Sequence, residues 1–254
     1  MKTIAFYNVK GGVAKTTSTI NVAYDLAKLG YKTLVVDLDP QSNTSDFFGR
    51  CNEDKPTVAD LLCNPSYDTE TVVQNTDFDG LDIIPAYLSL GRAEKFLISD
   101  TTTPQQLRLR HHLKNIASYY DYCVLDCSPA AEAIVNINGL AAADAVFVPL
   151  RCDKWAVAGL VNTLEVTEAV RTYNDKLFFG GAFFSQYEKR NIDRAVAEEL
   201  KTQLGDKLLS EHIRKCAQVP LSSHSGKPLS CFAAWSTCAK DYEALTERIV
   251  KIVG

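Results

Sequence analysis

The sequence is organised around residues 8–17, which read NVKGGVAKTT. An apolar run precedes this stretch and an amphipathic segment follows it. A strand, a glycine-containing loop, a Lys-Thr pair and a helix therefore occur in the order that a phosphate-binding P-loop requires. Glycines let consecutive backbone N–H groups turn toward phosphate oxygens, and the start of the helix adds partial positive charge. We expect phosphate contacts from Gly11, Gly12, Val13, Ala14, Lys15, Thr16 and Thr17.

Two side chains of this loop have predicted chemical roles. Lys15 is expected to reach the β- and γ-phosphates of a nucleoside triphosphate, and the Thr16 hydroxyl is expected to ligate Mg²⁺. The loop departs twice from the standard pattern G-x-x-x-x-G-K-[ST], because Val9 and Ala14 stand where glycines are expected. It also carries a second lysine, Lys10, at its head.

Carboxylates end two further apolar runs. Asp37 and Asp39 end the first of them, and Asp126 lies at the end of the second. Ligands bind beyond the carboxyl ends of strands in open α/β sheets, so we expect these side chains at the same edge as the loop. Carboxylates suit Mg²⁺, which they hold directly or through water. The predicted metal-binding residues are therefore Thr16, Asp37 and Asp126.

Short apolar runs alternate with helical patterns along the chain. Most of these runs are continuous, which is typical of parallel strands covered by helices on both faces. The pattern predicts a single α/β domain, residues 1–254, with a doubly wound, mostly parallel central sheet. Predicted strands cover residues 3–9, 33–37, 81–85, 122–127, 145–150 and 177–184. Predicted helices cover residues 16–29, 104–120, 155–173, 192–204 and 242–253, and residues 47–80 are expected to be irregular at one edge.

The loop and the carboxylates together resemble the ParA/MinD family of ATPases, which have a P-loop NTPase architecture and a deviant Walker A motif, K-G-G-x-G-K-[ST]. The resemblance implies ATP and Mg²⁺ as cofactors and a homodimer that forms on ATP binding. It implies that Lys10 reaches the partner's nucleotide, that Asp39 positions the attacking water, and that Asp126 is the Walker B residue. Ala14 departs from the family pattern, and its methyl group costs on the order of 1 kcal/mol if the position needs a positive φ.

Within this family, the Pro-Gln pair after Asp39 favours ParA-type partitioning ATPases over MinD. Residues 81–86, 142–149 and 225–228 also look like segments of the family. The catalytic residues implied by the resemblance are Lys10, Lys15 and Asp39. They would hydrolyse ATP slowly to ADP and phosphate until a ParB-like partner protein accelerates the step.

ParA-type proteins bind DNA non-specifically as ATP dimers, so the resemblance implies a basic surface in the C-terminal part. The candidates are Lys189, Arg190, Arg194, Arg214 and Lys215. Such side chains would bind DNA phosphates in a salt-dependent way. An ordinary solvated surface explains them equally well, and glutamine at position 218 stands where the family often has an arginine. A second basic run, residues 108–114, is expected on the solvated side of a helix.

The composition sets limits on these predictions. Of 254 residues, 46% are apolar, which is enough for a large core. The net charge of -4 requires any DNA contact to come from a local basic patch. Eight cysteines form no zinc-like spacing and are expected to be reduced thiols. The sequence contains no recognisable signal peptide and no apolar run near the roughly 20 residues of a membrane span, which predicts a bacterial cytoplasmic, nucleoid-associated protein.

Three alternative functions remain open. A MinD-like membrane-associated ATPase would need a membrane-binding helix, but the C-terminal helix carries both signs of charge and is expected to pack on the domain. A nucleotide-binding module with impaired hydrolysis would follow from Ala14. A metabolic or metallocluster enzyme on the same loop would use Cys123 and Cys127.

Overall fold

The computed structural model describes residues 1–101, 103–131 and 133–254. Within these residues the chain forms one α/β domain around a seven-stranded sheet, with the strand order β3-β4-β2-β5-β1-β6-β7. Neighbouring strands run parallel, apart from β3, which is antiparallel to β4. The predicted fold class is therefore confirmed. The strands are β1 (Lys2–Phe6), β2 (Thr33–Leu38), β3 (Gln74–Asn75), β4 (Leu81–Ile84), β5 (Tyr122–Cys127), β6 (Ala145–Arg151) and β7 (Phe178–Ser185).

Helices cover both faces of this sheet. Longer helices are α1 (Lys15–Lys28), α4 (Leu90–Ser99), α5 (Arg108–Ile116), α6 (Ile134–Ala142), α7 (Ala156–Val170), α8 (Asn191–Leu204), α9 (Gln218–Ser225) and α11 (Thr237–Val253). Shorter ones are α2 (Asn43–Phe47), α3 (Val58–Cys63) and α10 (Leu229–Phe232). Three 3-10 helices cover Thr69–Val72, Gln105–Leu107 and Gly205–Lys207 within the described part of the chain.

The central strands are apolar throughout because each face of the sheet has its own core. In β1, Ile4 and Phe6 join the core beneath α1 and α11, whereas Ala5 joins the core on the opposite face, beneath α3 to α8. Both cores are closed to solvent, with these three side chains 0% exposed. This burial on alternate sides is what a parallel sheet between two helical layers requires.

The C-terminal helix packs on the domain, as predicted, but begins five residues earlier than expected, at Thr237 rather than at residue 242. Its apolar face, which includes Tyr242, Leu245 and Ile249, is buried in the core shared with α1. The Ser236 hydroxyl begins the helix by accepting a hydrogen bond from the Ala239 N–H at 3.3 Å. In the part of the chain that the structure describes, no helix is long and apolar enough to cross a membrane.

Residues 47–80 are more regular than predicted, since they contain α3, a 3-10 helix and β3. A reciprocal cap starts α3: the Ala59 N–H donates to Thr57 Oγ1, and the Thr57 N–H donates to Asp60 Oδ2 at 2.7 Å. The capping pattern was readable in the sequence. The prediction missed it because a helix of six residues is too short to show a clear apolar period. The short helices α2 and α10, and also α4, α6 and α9, were likewise not predicted.

The basic run 108–114 is not simply solvated, contrary to prediction. Arg108 and His112 are buried, with 2% and 0% exposure. Arg108 donates to the Leu62 carbonyl at 2.8 Å and pairs with Asp100. The carbonyls that end α3 have no further N–H partners within their own helix, so buried cationic and imidazole donors from α5 take that place. Charge alone misled the prediction, because these side chains have partners distant in sequence.

Both edges of the sheet are limited. At one edge, β3 consists of two residues. At the other edge, the chain after the last 3-10 helix runs along β7, where the Leu209 N–H donates to the Ala182 carbonyl and the Ile213 N–H donates to the Phe184 carbonyl, both at 2.8 Å. The outer backbone of β7 is therefore partly paired within the chain.

The turn between β1 and α1 depends on two residues with positive φ. Gly12 has φ 71°, and Ala14, which caps α1, has φ 69° and ψ 32°. The Ala14 carbonyl accepts hydrogen bonds from the Ser18 N–H at 2.9 Å and the Ser18 hydroxyl at 2.7 Å, so the helix holds Ala14 in this conformation. A side chain in the left-handed region costs about 1–2 kcal/mol. Position 14 is thus one that favours glycine, as the departure from the family pattern suggested.

Replacing Ala14 with glycine is expected to raise the free energy of unfolding by up to about 1.6 kcal/mol. The change removes strain of about 1–2 kcal/mol, partly offset by about 0.4–1 kcal/mol of extra freedom in the unfolded chain. Ala244→Gly is the matched control, since Ala244 is exposed in the interior of α11. There the same substitution should lower stability by about 1 kcal/mol. Urea unfolding of both variants measures the difference, and an equal loss in each would contradict the strain at position 14.

Candidate functional site

A cleft of about 540 Å³ opens beside the loop between β1 and α1. The loop forms one wall, and residues that follow β7 form the other. Two hydrogen bonds tie the loop to the end of β7: Ser185 Oγ donates to the Val13 carbonyl at 2.9 Å, and Gln186 Nε2 donates to the Gly12 carbonyl at 3.2 Å. The predicted loop residues that line the cleft are Gly11, Gly12, Ala14, Lys15, Thr16 and Thr17. Val13 is instead buried, with 1% exposure.

Lys15 lies inside the curve of its own loop. Its Nζ donates to the Asn8 carbonyl at 3.0 Å and to the Lys10 carbonyl at 2.9 Å. Burial lowers the pKa of this ammonium group, and the nearby Asp126 carboxylate opposes that shift. An ammonium group has three N–H donors, so one remains for a ligand in the cleft. The loop therefore positions a partly desolvated cation beside the N-terminus of α1, where a phosphate binds well.

Lys10 is held on a different side of the loop. Its Nζ lies 2.5 Å and 2.6 Å from the two carboxylate oxygens of Asp153, which follows β6. Asp153 also accepts a hydrogen bond from the Trp155 N–H at 2.9 Å, which fixes the carboxylate at the start of α7. Burial favours a higher pKa for Asp153, but the hydrogen bonds from Lys10 and Trp155 prevail and lower it. The two lysines of the loop are thus directed at separate partners.

The two buried carboxylates are brought together by strand register. Asp37 of β2 and Asp126 of β5 are paired positions in neighbouring parallel strands, and both are 0% exposed. Burial raises the pKa of both groups, and the charge of Asp126 raises that of Asp37 further. A bound cation would offset this repulsion. Thr16 lines the cleft, and its side chain partly offsets the rise in the pKa of Asp126, so a hydroxyl and a carboxylate of the kinds that Mg²⁺ prefers lie near each other.

The sequence analysis did not identify two hydroxyl residues beside these carboxylates. Ser45 donates to Asp37 Oδ2 through its N–H at 2.9 Å and its hydroxyl at 2.7 Å, and Thr44 Oγ1 donates to Asp126 Oδ2 at 2.6 Å. Asp39 lines the cleft, and its N–H donates to the other oxygen of Asp37 at 3.0 Å. Protein donors therefore engage both oxygens of Asp37. Thr44 and Ser45 belong to α2, which follows Asp39 closely in the sequence. That closeness was the available signal for these two residues, because the start of α2 turns back to the ends of β2 and β5.

Two of the candidate DNA-binding residues are engaged in a small network of opposite charges. Arg190 Nη2 lies 2.9 Å from Asp193 Oδ1, and Lys215 Nζ lies 3.1 Å from Glu188 Oε1. Arg190 and Lys215 are both exposed, but the neighbouring carboxylates offset their charge. Their attraction for a polyanion is therefore reduced.

The other three candidates differ in their surroundings. Arg214 pairs with Asp241 at 2.6 Å and lines the nucleotide-sized cleft, as does Lys215. Lys189 and Arg194 are exposed, and the described residues include no ion pair to either. Gln218, where the family often has arginine, begins α9 and accepts a hydrogen bond from the Cys216 thiol at 3.2 Å.

Comparisons with known proteins agree with this geometry. A family model described as an AAA domain matches residues 1–179, which include the loop and all three aspartates. The chain is 36% identical over 251 residues to the chromosome-partitioning ATPase Soj of Treponema pallidum, covering 98% of this chain and 97% of that protein. It is 32% identical to the chromosome partitioning protein ParA of Caulobacter vibrioides, covering 98% of this chain and 94% of that protein.

Among solved structures, the chain resembles cobyrinic acid a,c-diamide synthase from Mycobacterium smegmatis with bound ADP and magnesium. The TM-score is 0.84 and the sequence identity is 25%, with coverage of 99% of this chain and 94% of that chain. Nucleotide and Mg²⁺ therefore occur in a protein that shares this architecture. The chain is similar to two partitioning proteins over nearly its full length, and it has the two-lysine loop and the paired aspartates. It therefore belongs to the ParA/MinD family of P-loop ATPases.

Proposed function

We propose that this chain is a ParA-like partitioning ATPase that dimerises on binding ATP, binds DNA non-specifically as a dimer, and is reset by partner-stimulated hydrolysis. The separate placement of the two loop lysines carries this proposal. Lys15 lies within its own loop, where it serves the nucleotide of its own subunit. Lys10 is directed out of the loop to Asp153. From that position it can reach the nucleotide bound to a second copy of the protein.

The residues of the cleft fit ATP and Mg²⁺. Backbone N–H groups of the loop and Lys15 would hold the phosphates, while Thr16 and Asp126 would hold Mg²⁺, with Asp37 behind them. The metal would neutralise phosphate charge. Asp39 is half-buried at the cleft, and its carboxylate is positioned by accepting the Gln41 N–H at 2.9 Å, so it can orient a water molecule. Because Lys10 would come from the other subunit, hydrolysis waits for dimerisation and is slow in the isolated protein.

Several observations favour partitioning over the other functions. The two partitioning proteins are 36% and 32% identical to this chain, whereas the diamide synthase is 25% identical. The apolar face of α11 is buried in the core, which leaves it engaged within the domain rather than presented to a membrane. Ala14 strains the loop but removes no chemical group, so the side chains needed for hydrolysis are all present. The proposal includes a ParB-like partner and a place on the nucleoid in a bacterial cytoplasm.

DNA binding in this proposal depends mainly on Lys189 and Arg194. These two exposed cations keep their full charge for phosphates, whereas the other three candidates are paired with carboxylates. Both lie around the N-terminus of α8, so they belong to one local patch on a protein of net negative charge. A local patch of this kind binds phosphate backbones without reading base sequence.

Alanine at the two loop lysines is expected to separate ATP binding from dimerisation. Lys15→Ala should weaken ATP binding roughly 10- to 100-fold, because a hydrogen bond to a charged group contributes about 1.5–3 kcal/mol. Lys10→Ala should leave ATP affinity of the monomer close to that of the original protein but abolish ATP-dependent dimerisation. Calorimetry measures the first effect, and size-exclusion chromatography with light scattering measures the second.

Lys95→Ala is the control for both variants, since Lys95 is an exposed lysine on α4 and its removal changes the net charge equally. An unchanged ATP affinity in Lys15→Ala would show that the loop is not the phosphate site. A Lys10→Ala protein that still dimerises with ATP would show that Lys10 does not act across an interface.

The double change Lys189→Ala and Arg194→Ala is expected to weaken DNA binding with ATP and to lower its salt dependence. The double change should remove roughly two phosphate contacts per protomer. The slope of log K against log salt should then become less steep by about 0.9 for each lost contact. Electrophoretic shifts or fluorescence anisotropy over a salt series measure the slope. Lys95→Ala should leave it unchanged, and no DNA shift by the original protein at low salt would overturn the DNA-binding part of the proposal.

A further inference from the structure

Asp153 holds the Lys10 side chain within its own subunit. The Lys10 Nζ lies 2.6 Å from Asp153 Oδ1 and 2.5 Å from Oδ2, so both carboxylate oxygens accept from one ammonium group. The two side chains are 27% and 32% exposed, so the pair is largely shielded from water and salt. A pair with two such contacts has a better defined geometry than an ordinary surface ion pair, and it contributes more.

The Asp153 carboxylate is itself fixed by the turn between β6 and α7. The Asp153 N–H donates to the Arg151 carbonyl at 2.8 Å, and the Asp153 carbonyl accepts from the Ala156 N–H at 3.0 Å. The side chain accepts from the Trp155 N–H at 2.9 Å. Because backbone and side chain are both held in this turn, a movement of Lys10 away from its own domain must break the pair.

The backbone of Lys10 is also fixed, so only its side chain is left to change partner. The Lys10 N–H donates to Asn8 Oδ1 at 2.9 Å, and the Lys10 carbonyl accepts from Lys15 Nζ at 2.9 Å. Over the described residues, the lining of the nucleotide cleft includes neither Lys10 nor Asp153. The pair therefore lies outside the cleft of its own subunit, on the part of the loop that Lys10 would present to a second copy.

A phosphate and the Asp153 carboxylate would compete for Lys10. Two acceptors of one ammonium group lie only about 4–5 Å apart, because each is about 2.8 Å from the nitrogen. At that separation two negative charges repel each other, and the repulsion is stronger where an interface excludes water. Binding of Lys10 to a phosphate therefore favours its release from Asp153.

Other cations lie near the carboxylate that Lys10 would leave. A cavity of about 490 Å³ beside Asp153 is lined by three further basic residues, Arg151, Lys154 and Arg190. Arg151 and Lys154 are exposed, so their side chains can approach the carboxylate once it is vacated. Nearby positive charge stabilises an ionised carboxylate. The pair can therefore open without leaving Asp153 uncompensated, which suits a contact that breaks and re-forms.

We propose that Asp153 is an autoinhibitory residue, which holds Lys10 within its own subunit and opposes ATP-dependent dimerisation until the phosphates of a second copy's nucleotide displace the carboxylate. This inference rests on the proposed function, because it requires Lys10 to bind the nucleotide of a second copy. Each subunit of a dimer breaks one pair, so the opposing effect enters twice. Only a nucleotide whose phosphates bind Lys10 better than Asp153 does can then support the dimer.

Asp153→Asn tests the effect on dimerisation, since the amide oxygen can still accept the Trp155 N–H but carries no charge to hold Lys10. A partly exposed ion pair shifts an equilibrium by up to about fivefold, and a dimer breaks two of them. With Mg²⁺ and a non-hydrolysable ATP analogue, the dimer dissociation constant should fall about 5- to 25-fold, measured by analytical ultracentrifugation. Asp54→Asn, at an exposed aspartate, changes the net charge equally and should leave the constant unchanged.

Amine labelling without nucleotide tests the pair itself. Acetic anhydride reacts with deprotonated amines, so Lys10 must leave Asp153 before it can react. Peptide mass spectrometry should show acetylation of Lys10 up to about fivefold faster in Asp153→Asn than in the original protein. Lys95, an exposed lysine on α4, is the internal reference and should react equally in both. Asp153→Ser, whose hydroxyl can also accept the Trp155 N–H, replaces the first variant if that one does not fold.

The two measurements distinguish this inference from the proposed function. Equal acetylation of Lys10 in both proteins would show that Asp153 does not hold it and would overturn the inference. Faster acetylation in Asp153→Asn with unchanged or weaker dimerisation would overturn it as well, but would leave the nucleotide-dependent dimer intact. A lack of dimer in every variant would contradict the proposed function and, with it, any effect of Asp153 on dimerisation.

Discussion

The Lys15 ammonium group, held by the carbonyl oxygens of Asn8 and Lys10, is the interaction on which the site depends. These bonds draw the loop into a curve around one cation, which places its backbone at the start of α1. The curve in turn needs left-handed conformations at Gly12 and Ala14. The charge therefore shapes the backbone, so substituting Lys15 removes the loop's internal support and, in the proposed function, a phosphate contact as well.

The second constraint is the register of β2 and β5, which places Asp37 and Asp126 at paired positions in a buried sheet. Two carboxylates so placed are unfavourable unless hydrogen-bonded or neutralised. Ser45 and Thr44 supply hydrogen bonds to these carboxylates, which offset part of the repulsion. A divalent cation at Asp126 would supply the rest. The repulsion between the two carboxylates would therefore be weaker when a cation is bound than when the cleft is empty.

Local patterns in the sequence were sufficient for the fold class, for the loop between β1 and α1 and for the carboxylates at the strand ends, because each follows from a short stretch and its immediate neighbours. Contacts between distant segments were not predictable in this way. The burial of Arg108 depends on where α3 ends, and the hydroxyl donors to Asp37 and Asp126 depend on how α2 returns to the sheet. The pairing of Arg214 with Asp241 likewise requires knowledge of α11. The sequence alone does not show whether a charged side chain contacts solvent or pairs with a carboxylate.

The short β3 at one edge and the paired outer side of β7 at the other have a consequence for assembly. An exposed edge strand has unpaired backbone groups with which another chain can form hydrogen bonds. This sheet has few such groups at either edge, because β3 is short and β7 is partly paired. Copies of the protein that associate must then do so through loops and helix surfaces rather than by continuing the sheet. Contacts of that kind can be made and broken without disturbing the core. An assembly built from them can dissolve on each round of nucleotide turnover, whereas a continuous sheet would persist.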